Sequence, residues 1–266
     1  MHDAEDYKKN NIFQNSKNEN ARIFLDEELK EFFEANGYVS IKNLIPHNLL
    51  NNLQDDLIFV FKEFGLKKFP YDSGIIALDK KNKEQLHQLH IATSKLTSFS
   101  ALTKIFTDAI KKIGDADKPV IEIASGYLLG IPKDNRLIYD FHQESNYMKG
   151  FNDIFNIHYP IFRTSDQSNG TMSILPRTHK LGTLLFTKDR SSSDSYTNLI
   201  PTNINILKKE YEEISCVLEL GDCVIFHKDL IHKSNFNASD LCRSVGISRL
   251  TQSLNGDWVY RKPRDL

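Results

Sequence analysis

The sequence predicts an α+β fold with a β-rich core: helices come first and pack outside a jelly roll formed by the rest of the chain. Three observations carry this. Apolar residues recur at helical spacing between Asp26 and about residue 112; after Gly114 short runs of β-branched and aromatic residues follow, broken by Gly, Asn, Asp and Pro; and neither a repeat nor a linker divides the two. Leu25, Leu29, Phe32 and Phe33 stand at i, i+4, i+7 and i+8, and Asn36-Gly37 supplies a left-handed stop. YVSIKNLI then alternates as a strand does. Leu50, Leu53, Leu57, Phe61 and Phe64 form a second helical face ending at Gly65, and further helices are expected near 83–94 and 98–112. The β runs are VIEIAS, RLIYDFHQE, IFNIHYPIF, TMSIL, EEISCVLEL, CVIFH and VGISRLTQ. The resulting division is a mobile tail over 1–21 and one domain over 22–266, mainly helical to 114 and a jelly roll from 115. The charged, Ser-rich stretch 188–198 reads as a surface loop and a candidate lid.

Composition narrows the functional classes. Among 266 residues, 34 Lys and Arg face 35 Asp and Glu, for a net charge of −1, which excludes a broadly basic nucleic-acid surface. Three cysteines without CxxC spacing suggest neither a disulfide framework nor a thiolate zinc site, and so a reducing compartment. The first twenty residues hold no apolar signal core, and no run approaches the length of a membrane span. The expectation is a cytoplasmic protein acting on a small molecule, without nucleic-acid or membrane partners. Oligomeric state leaves no mark in the sequence.

Two segments carry chemistry. In Tyr139-Asp140-Phe141-His142-Gln143-Glu144-Ser145, read as a strand, His142 and Glu144 project to one face. An imidazole and a carboxylate side by side suit neighbouring positions on an octahedral metal. With a second histidine they make the 2-His-1-carboxylate set, which leaves open positions for a cosubstrate and oxygen. Asp140 shares the parity and is an alternative carboxylate. The second segment runs from Gly221-Asp222 through the apolar Cys223-Val224-Ile225-Phe226 to His232, with Arg243 eleven residues later. That separation lets the chain return as a neighbouring antiparallel strand, putting a histidine and a guanidinium on one cavity wall. A planar guanidinium suits the distal carboxylate of a dicarboxylate through two charge-assisted hydrogen bonds. His227 competes with His232, which alone has Arg243 at this spacing.

At these residues the chain resembles the phytanoyl-CoA dioxygenase family of Fe(II)/2-oxoglutarate oxygenases. The resemblance is carried by His142-Gln143-Glu144 for the family's HQD, by Asn169-Gly170 through Pro176-Arg177-Thr178-His179-Lys180 for its NG…PGSHK, by the Gly-Asp…His232…Arg243 ending and by the opening FFEANGYVSIKNLI. It implies a double-stranded, cupin-like β-helix, with Fe(II), 2-oxoglutarate and O2 as cofactor and cosubstrates. His142, Glu144 and His232 would be the metal ligands and catalytic centre. Arg243 would hold the remote carboxylate of 2-oxoglutarate, with Gln143 and Tyr159 assisting. Glu144 stands where the family has aspartate and lengthens that ligand by a methylene. Arg177 stands at the glycine of PGSHK, so either the turn differs or a cation sits at the pocket mouth. A carboxylate ligand argues against the related halogenases, which lack one.

The implied reaction hydroxylates an unactivated C–H bond of a small metabolite and releases succinate and CO2. Desaturation, ring closure or epimerisation are alternative outcomes, and a metal-binding sensor without catalysis is an alternative class. His158 and Arg163 could face substrate or the opposite sheet. Arg163, Arg177, Lys133 and Arg136 lean the substrate towards an anion. His179 and Lys180 read as turn residues, and His87 and His90 as solvated helix histidines.

Overall fold

The computed structural model describes residues 21–68, 71–135, 138–189 and 197–253. Residues 1–20 of the expected tail and the centre of the candidate lid lie outside them, as does Arg136. Helix α1 (Ala21–Asn36) ends where expected, because Gly37 takes φ 78° and returns its N–H to Phe33 O at 2.7 Å. Helix α2 (His47–Glu63) buries Leu50, Leu53, Leu57 and Phe61 on one face. Helix α4 (Lys83–Thr93) is capped by the Asn82 side chain, which accepts the Gln85 N–H at 3.1 Å. Helix α5 (Ser98–Ile113) buries Phe99, Leu102, Phe106, Ala109, Ile110 and Ile113. Helix α3 (Asp72–Lys81) was not foreseen, since DSGIIALDKK lacks a continuous apolar face and buries only Asp72 and Ile75.

Two antiparallel sheets form the jelly roll. The larger has the order β1 (Tyr38–Ile41), β8 (Cys223–His227), β3 (Phe155–Pro160), β10 (Arg243–Thr251) and β2 (Ile121–Gly130). β1 comes from the helical part of the chain, so the two parts share a sheet. The smaller has the order β7 (Ile214–Ser215), β4 (Met172–Leu175) and β9 (Ile231–Ser234). A separate pair, β5 (Phe186–Asp189) and β6 (Asn198–Pro201), joins the two ends of the 188–198 stretch at Asp189 and Asn198. These elements run from Ala21 to Thr251.

Alternation on the larger sheet decides what reaches the interior. Phe155, Ile157 and Tyr159 join the apolar cluster under the helices, with Leu57, Phe61 and Phe106. Across the ladder, Asn156 pairs with Phe226 and Arg249, and His158 with Val224 and Ile247, on the opposite, inner face. Phe226 and Val224 belong there to a second core with Tyr38, Met172 and Ile174. The expected strand over 136–144 does not form. His142 makes a single bridge to His232, and Glu144–Asn146 turns as a 3-10 helix. Side chains compete with the ladder here: Asp140 Oδ1 takes the Phe141 N–H, and Asn198 Oδ1 takes the Asp140 N–H.

Candidate active site

Three ligand atoms converge where β9 meets the turn that follows His142. The His142 and His232 main chains exchange hydrogen bonds of 2.9 and 3.1 Å, which sets their rings 4.2 Å apart between centroids. The 3-10 turn brings Glu144 Oε1 to 3.8 Å from His142 Nε2 and 3.7 Å from His232 Nε2, so the site is assembled without the regular strand the sequence suggested. The three ligand atoms lie within 4.8 Å of one another, and all three residues are buried. His142 Nδ1 faces Asp140 O at 2.6 Å, and His232 Nδ1 faces Leu230 O at 2.9 Å. With each Nδ1–H donated to a carbonyl, each Nε2 keeps its lone pair for the shared point. Burial first, and then His142, hold His232 below its ordinary pKa, so it stays neutral as a ligand must.

Arg249 completes the charge pattern. Its Nε donates to Glu144 Oε2 and its Nη2 to Oε1, each at 3.2 Å. Burial alone would raise the Glu144 carboxyl, but the charge of Arg249, with the two histidines beside it, outweighs burial and holds the group well below the carboxylate range. Glu144 is therefore an anion, and the extra methylene is taken up in a side chain gripped at its far end.

The triad opens on a cavity of about 460 Å³ that Arg243, His158, Ile247 and Arg249 also line, within the size range of small-molecule sites. Arg243 is only 7% exposed, yet its Nε and Nη1 find no hydrogen-bond partner among the described residues. Burial pulls its pKa down to about 10. Gly130 leaves it room, since a Cβ there would stand 3.2 Å from Arg243 Cβ and 3.3 Å from Nε. His158, whose Nε2 is also unpartnered, is pushed down to about 3 by burial, then by Arg243 and His232, and is neutral.

The other expected site residues lie elsewhere. Tyr159 is fully buried in the helix-side core, 5.3 Å between ring centroids from Phe106, because its parity on β3 is opposite to that of His158. Gln143 spends its amide on structure: it donates to Gly182 O and Asp229 O at 2.9 and 2.7 Å and accepts the Leu184 N–H at 2.8 Å. Neither residue lines the cavity. Arg163 forks onto Asp72 of α3 at 2.6 and 2.9 Å, which removes it from substrate. Arg177 is exposed and takes φ 70°, so the glycine-like left-handed turn is kept and its side chain does not line the cavity. Lys133 is paired with Asp240. Of the rival ligands, Asp140 is exposed and caps its neighbour's N–H, while His227 Nδ1 accepts the Asp229 N–H at 3.1 Å.

Arg249, His90 and Ser94 were not expected at the cavity. Arg249 had a signal, since it lies six residues beyond Arg243 and so on the same face of one strand. His90 and Ser94, at the end of α4, line the cavity, and nothing in the linear pattern joins that helix to the site.

A family model described as phytanoyl-CoA dioxygenase (PhyH) matches residues 33–245. A probable phytanoyl-CoA dioxygenase of Caenorhabditis elegans is 24% identical over 257 residues, covering 86% of this chain and 80% of its own. The peroxisomal phytanoyl-CoA dioxygenase of Mus musculus is 24% identical over 248 residues, covering 85% and 72%. Among solved structures, EctD from S. alaskensis with bound Fe superposes with a TM-score of 0.61 at 14% identity, covering 89% of this chain and 81% of that one. The epimerase SnoN in complex with Fe3+, alpha ketoglutarate and nogalamycin RO gives 0.56 at 13%, covering 86% and 84%. At such identities the structural likeness establishes the shared jelly-roll fold. Among the described residues, no helix is long and apolar enough to cross a membrane.

Proposed function

Since the chain belongs to the phytanoyl-CoA dioxygenase family, we propose that it is an Fe(II)- and 2-oxoglutarate-dependent dioxygenase that hydroxylates an unactivated C–H bond of a small metabolite. The observation that carries this reading is Arg243: a buried guanidinium with unpartnered N–H groups, on the wall of the cavity that holds the triad. A metal site kept for stability alone would have no use for such a charge, whereas a dicarboxylate cosubstrate supplies its counter-ion. This argues against the sensor alternative.

His142, Glu144 and His232 would hold the iron, two neutral nitrogen donors and one carboxylate suiting a divalent ion that must keep positions open. Iron held there would let O2 act as the oxidant, with 2-oxoglutarate giving up two electrons as it becomes succinate and CO2, and one oxygen atom going to succinate and the other to the substrate. The protein's residues do the rest. Arg243 fixes the distal carboxylate of the diacid, and His158 Nε2 offers a hydrogen bond beside it without adding a second charge. Met172, Phe226 and Ile247 line the same cavity and limit water, which strengthens both interactions. Arg249 holds Glu144 ionised and in place. Three buried, unbridged cysteines fit a reducing compartment, and we assign the protein to the cytoplasm.

The test is succinate release from 2-oxoglutarate with Fe(II), ascorbate and a panel of small acids, followed by product mass. Hydroxylation adds one oxygen, desaturation or ring closure removes two hydrogens, and epimerisation leaves the mass unchanged. Release that is independent of O2, or absent with every substrate, overturns the oxygenase reading.

A further inference from the structure

We infer that Arg249 is the docking point for an anionic group of the primary substrate, a carboxylate being the form its geometry fits best, and that the carbon oxidised lies within a few bonds of that group. The inference rests on the reading above and names the substrate class for that site.

The first argument is the shape of the guanidinium. Its Nε/Nη2 edge is engaged by Glu144, while Nη1 makes no hydrogen bond among the described residues. A guanidinium offers five N–H donors on more than one edge, so a second carboxylate can be held end-on while the first stays in place. At 3.2 Å the two bonds to Glu144 are also longer than the 2.7–2.9 Å of tight charge-assisted pairs, which leaves charge to share.

The second argument is charge balance. In the loaded site the two charges of Fe(II) and that of Arg243 offset the two of 2-oxoglutarate and the one of Glu144. Lys233, also in the cavity wall, is paired with Glu213 at 2.8 Å. Arg249 is then a positive charge in excess, inside a cavity where Glu144 is the one carboxylate among the described lining residues. A cationic substrate would meet no counter-charge there, and an anion neutralises the site.

The third argument is position. Arg243 and Arg249 share the inner face of β10 six residues apart, so they serve different parts of the cavity. The Arg249 side chain is 26% exposed, against 10% for Glu144, which puts it at the more open end where a substrate enters. Because it contacts a metal ligand directly, an anion on its free edge brings the neighbouring carbons up to the metal. Tyr139, Tyr147 and Met148 line the same cavity and offer apolar surface to the rest of the molecule.

The experiment is calorimetric titration of the protein loaded with Co(II) and 2-oxoglutarate. The probes are carboxylates from propionate to 3-phenylpropionate, each against its primary amide, and the Co(II) visible spectrum is followed in parallel. At least one acid should bind about 10-fold or more tighter than its amide and perturb the spectrum, and Arg249→Gln should reduce that preference to under about 2-fold. Arg249→Lys should keep part of it, and both variants, whose Co(II) affinity should fall by about 10- to 100-fold because Glu144 loses its partner, are compared at saturating Co(II) and 2-oxoglutarate. The inference is overturned if every acid and amide bind alike, or if the preference survives in Co(II)-loaded Arg249→Gln, since Arg249 would then serve Glu144 alone. Failure of the wild type to take up Co(II) or 2-oxoglutarate would instead bring down the oxygenase reading itself.

Discussion

Replacing Arg243 by methionine should move two quantities in opposite directions. Burial lowers the Arg243 pKa from 12.5 to about 10, which places the cost of burying its charge on the order of 3 kcal/mol. The sign follows from linkage: a base whose folded pKa is depressed stays charged in both states below about pH 10, so the ligand-free fold bears the whole cost at neutral pH. Methionine has a similar reach, carries no charge and leaves no N–H unpaired. The ligand-free variant should therefore be more stable by about 1–3 kcal/mol, raising Tm by roughly 3–10 °C. Binding of 2-oxoglutarate should weaken by about 2–5 kcal/mol, or roughly 30- to 5,000-fold in Kd, because a buried charge-assisted pair loses one partner. Scanning calorimetry without ligand gives the first quantity, and anaerobic titration of Zn(II)-loaded protein with 2-oxoglutarate gives the second. A variant that melts lower than wild type without ligand, or binds 2-oxoglutarate within about 3-fold of it, refutes the claim that this guanidinium awaits an anion.

Tyr159→Phe should leave kcat/KM for 2-oxoglutarate within about 2-fold, because the hydroxyl lies in the helix-side core; a loss above about 10-fold would return Tyr159 to the site. Gln143→Leu should lower stability by roughly 2–4 kcal/mol in urea titration, since one buried partner at 229 and two half-buried ones at 182 and 184 lose their bonds, while the folded protein keeps its 2-oxoglutarate affinity. Unchanged stability with weakened cosubstrate binding would contradict the structural role. His158 and His227 are held down to about 3 and about 4, burial being the largest cause in each. Below the ordinary value of 6.5 the unfolded chain therefore binds protons that the fold does not. Stability should fall by up to about 1.4 kcal/mol per pH unit for each, between pH 6.5 and about 4, and His158→Leu should remove one such contribution. A stability profile flat over that range would show that neither histidine is buried neutral.

The metal ligands were legible because residue type and spacing carried them: His142 and Glu144 two apart, and His232 eleven before Arg243. The route was misread, since the alternation in Tyr139–Ser145 is real but pairs at one residue, and a 3-10 turn brings Glu144 round. Helices α2 and α5 were visible in their apolar faces. Helix α3 was not, because its buried Asp72 answers to Arg163, ninety-one residues away, and an ion pair of that reach leaves no local period. Tyr159 and His158 show how one residue of parity reverses a role. The polar Asn156 and His158 between apolar Phe155, Ile157 and Tyr159 already held that information. Arg177 shows the opposite case: the departure from glycine looked like a change of turn or of charge, and the backbone instead keeps the left-handed conformation at a cost of about 1–2 kcal/mol.

The claim on which the account depends is that one cavity binds a divalent metal through His142, Glu144 and His232 and a keto diacid through Arg243. Anaerobic addition of Fe(II) and then 2-oxoglutarate, followed by visible absorption, tests it most directly. The charge-transfer band of a metal-chelated keto acid should appear with the wild type. It should be lost in His232→Ala and require far more 2-oxoglutarate in Arg243→Met. Folded wild-type protein that develops no band, or a His232→Ala variant that develops it undiminished, would contradict the assignment.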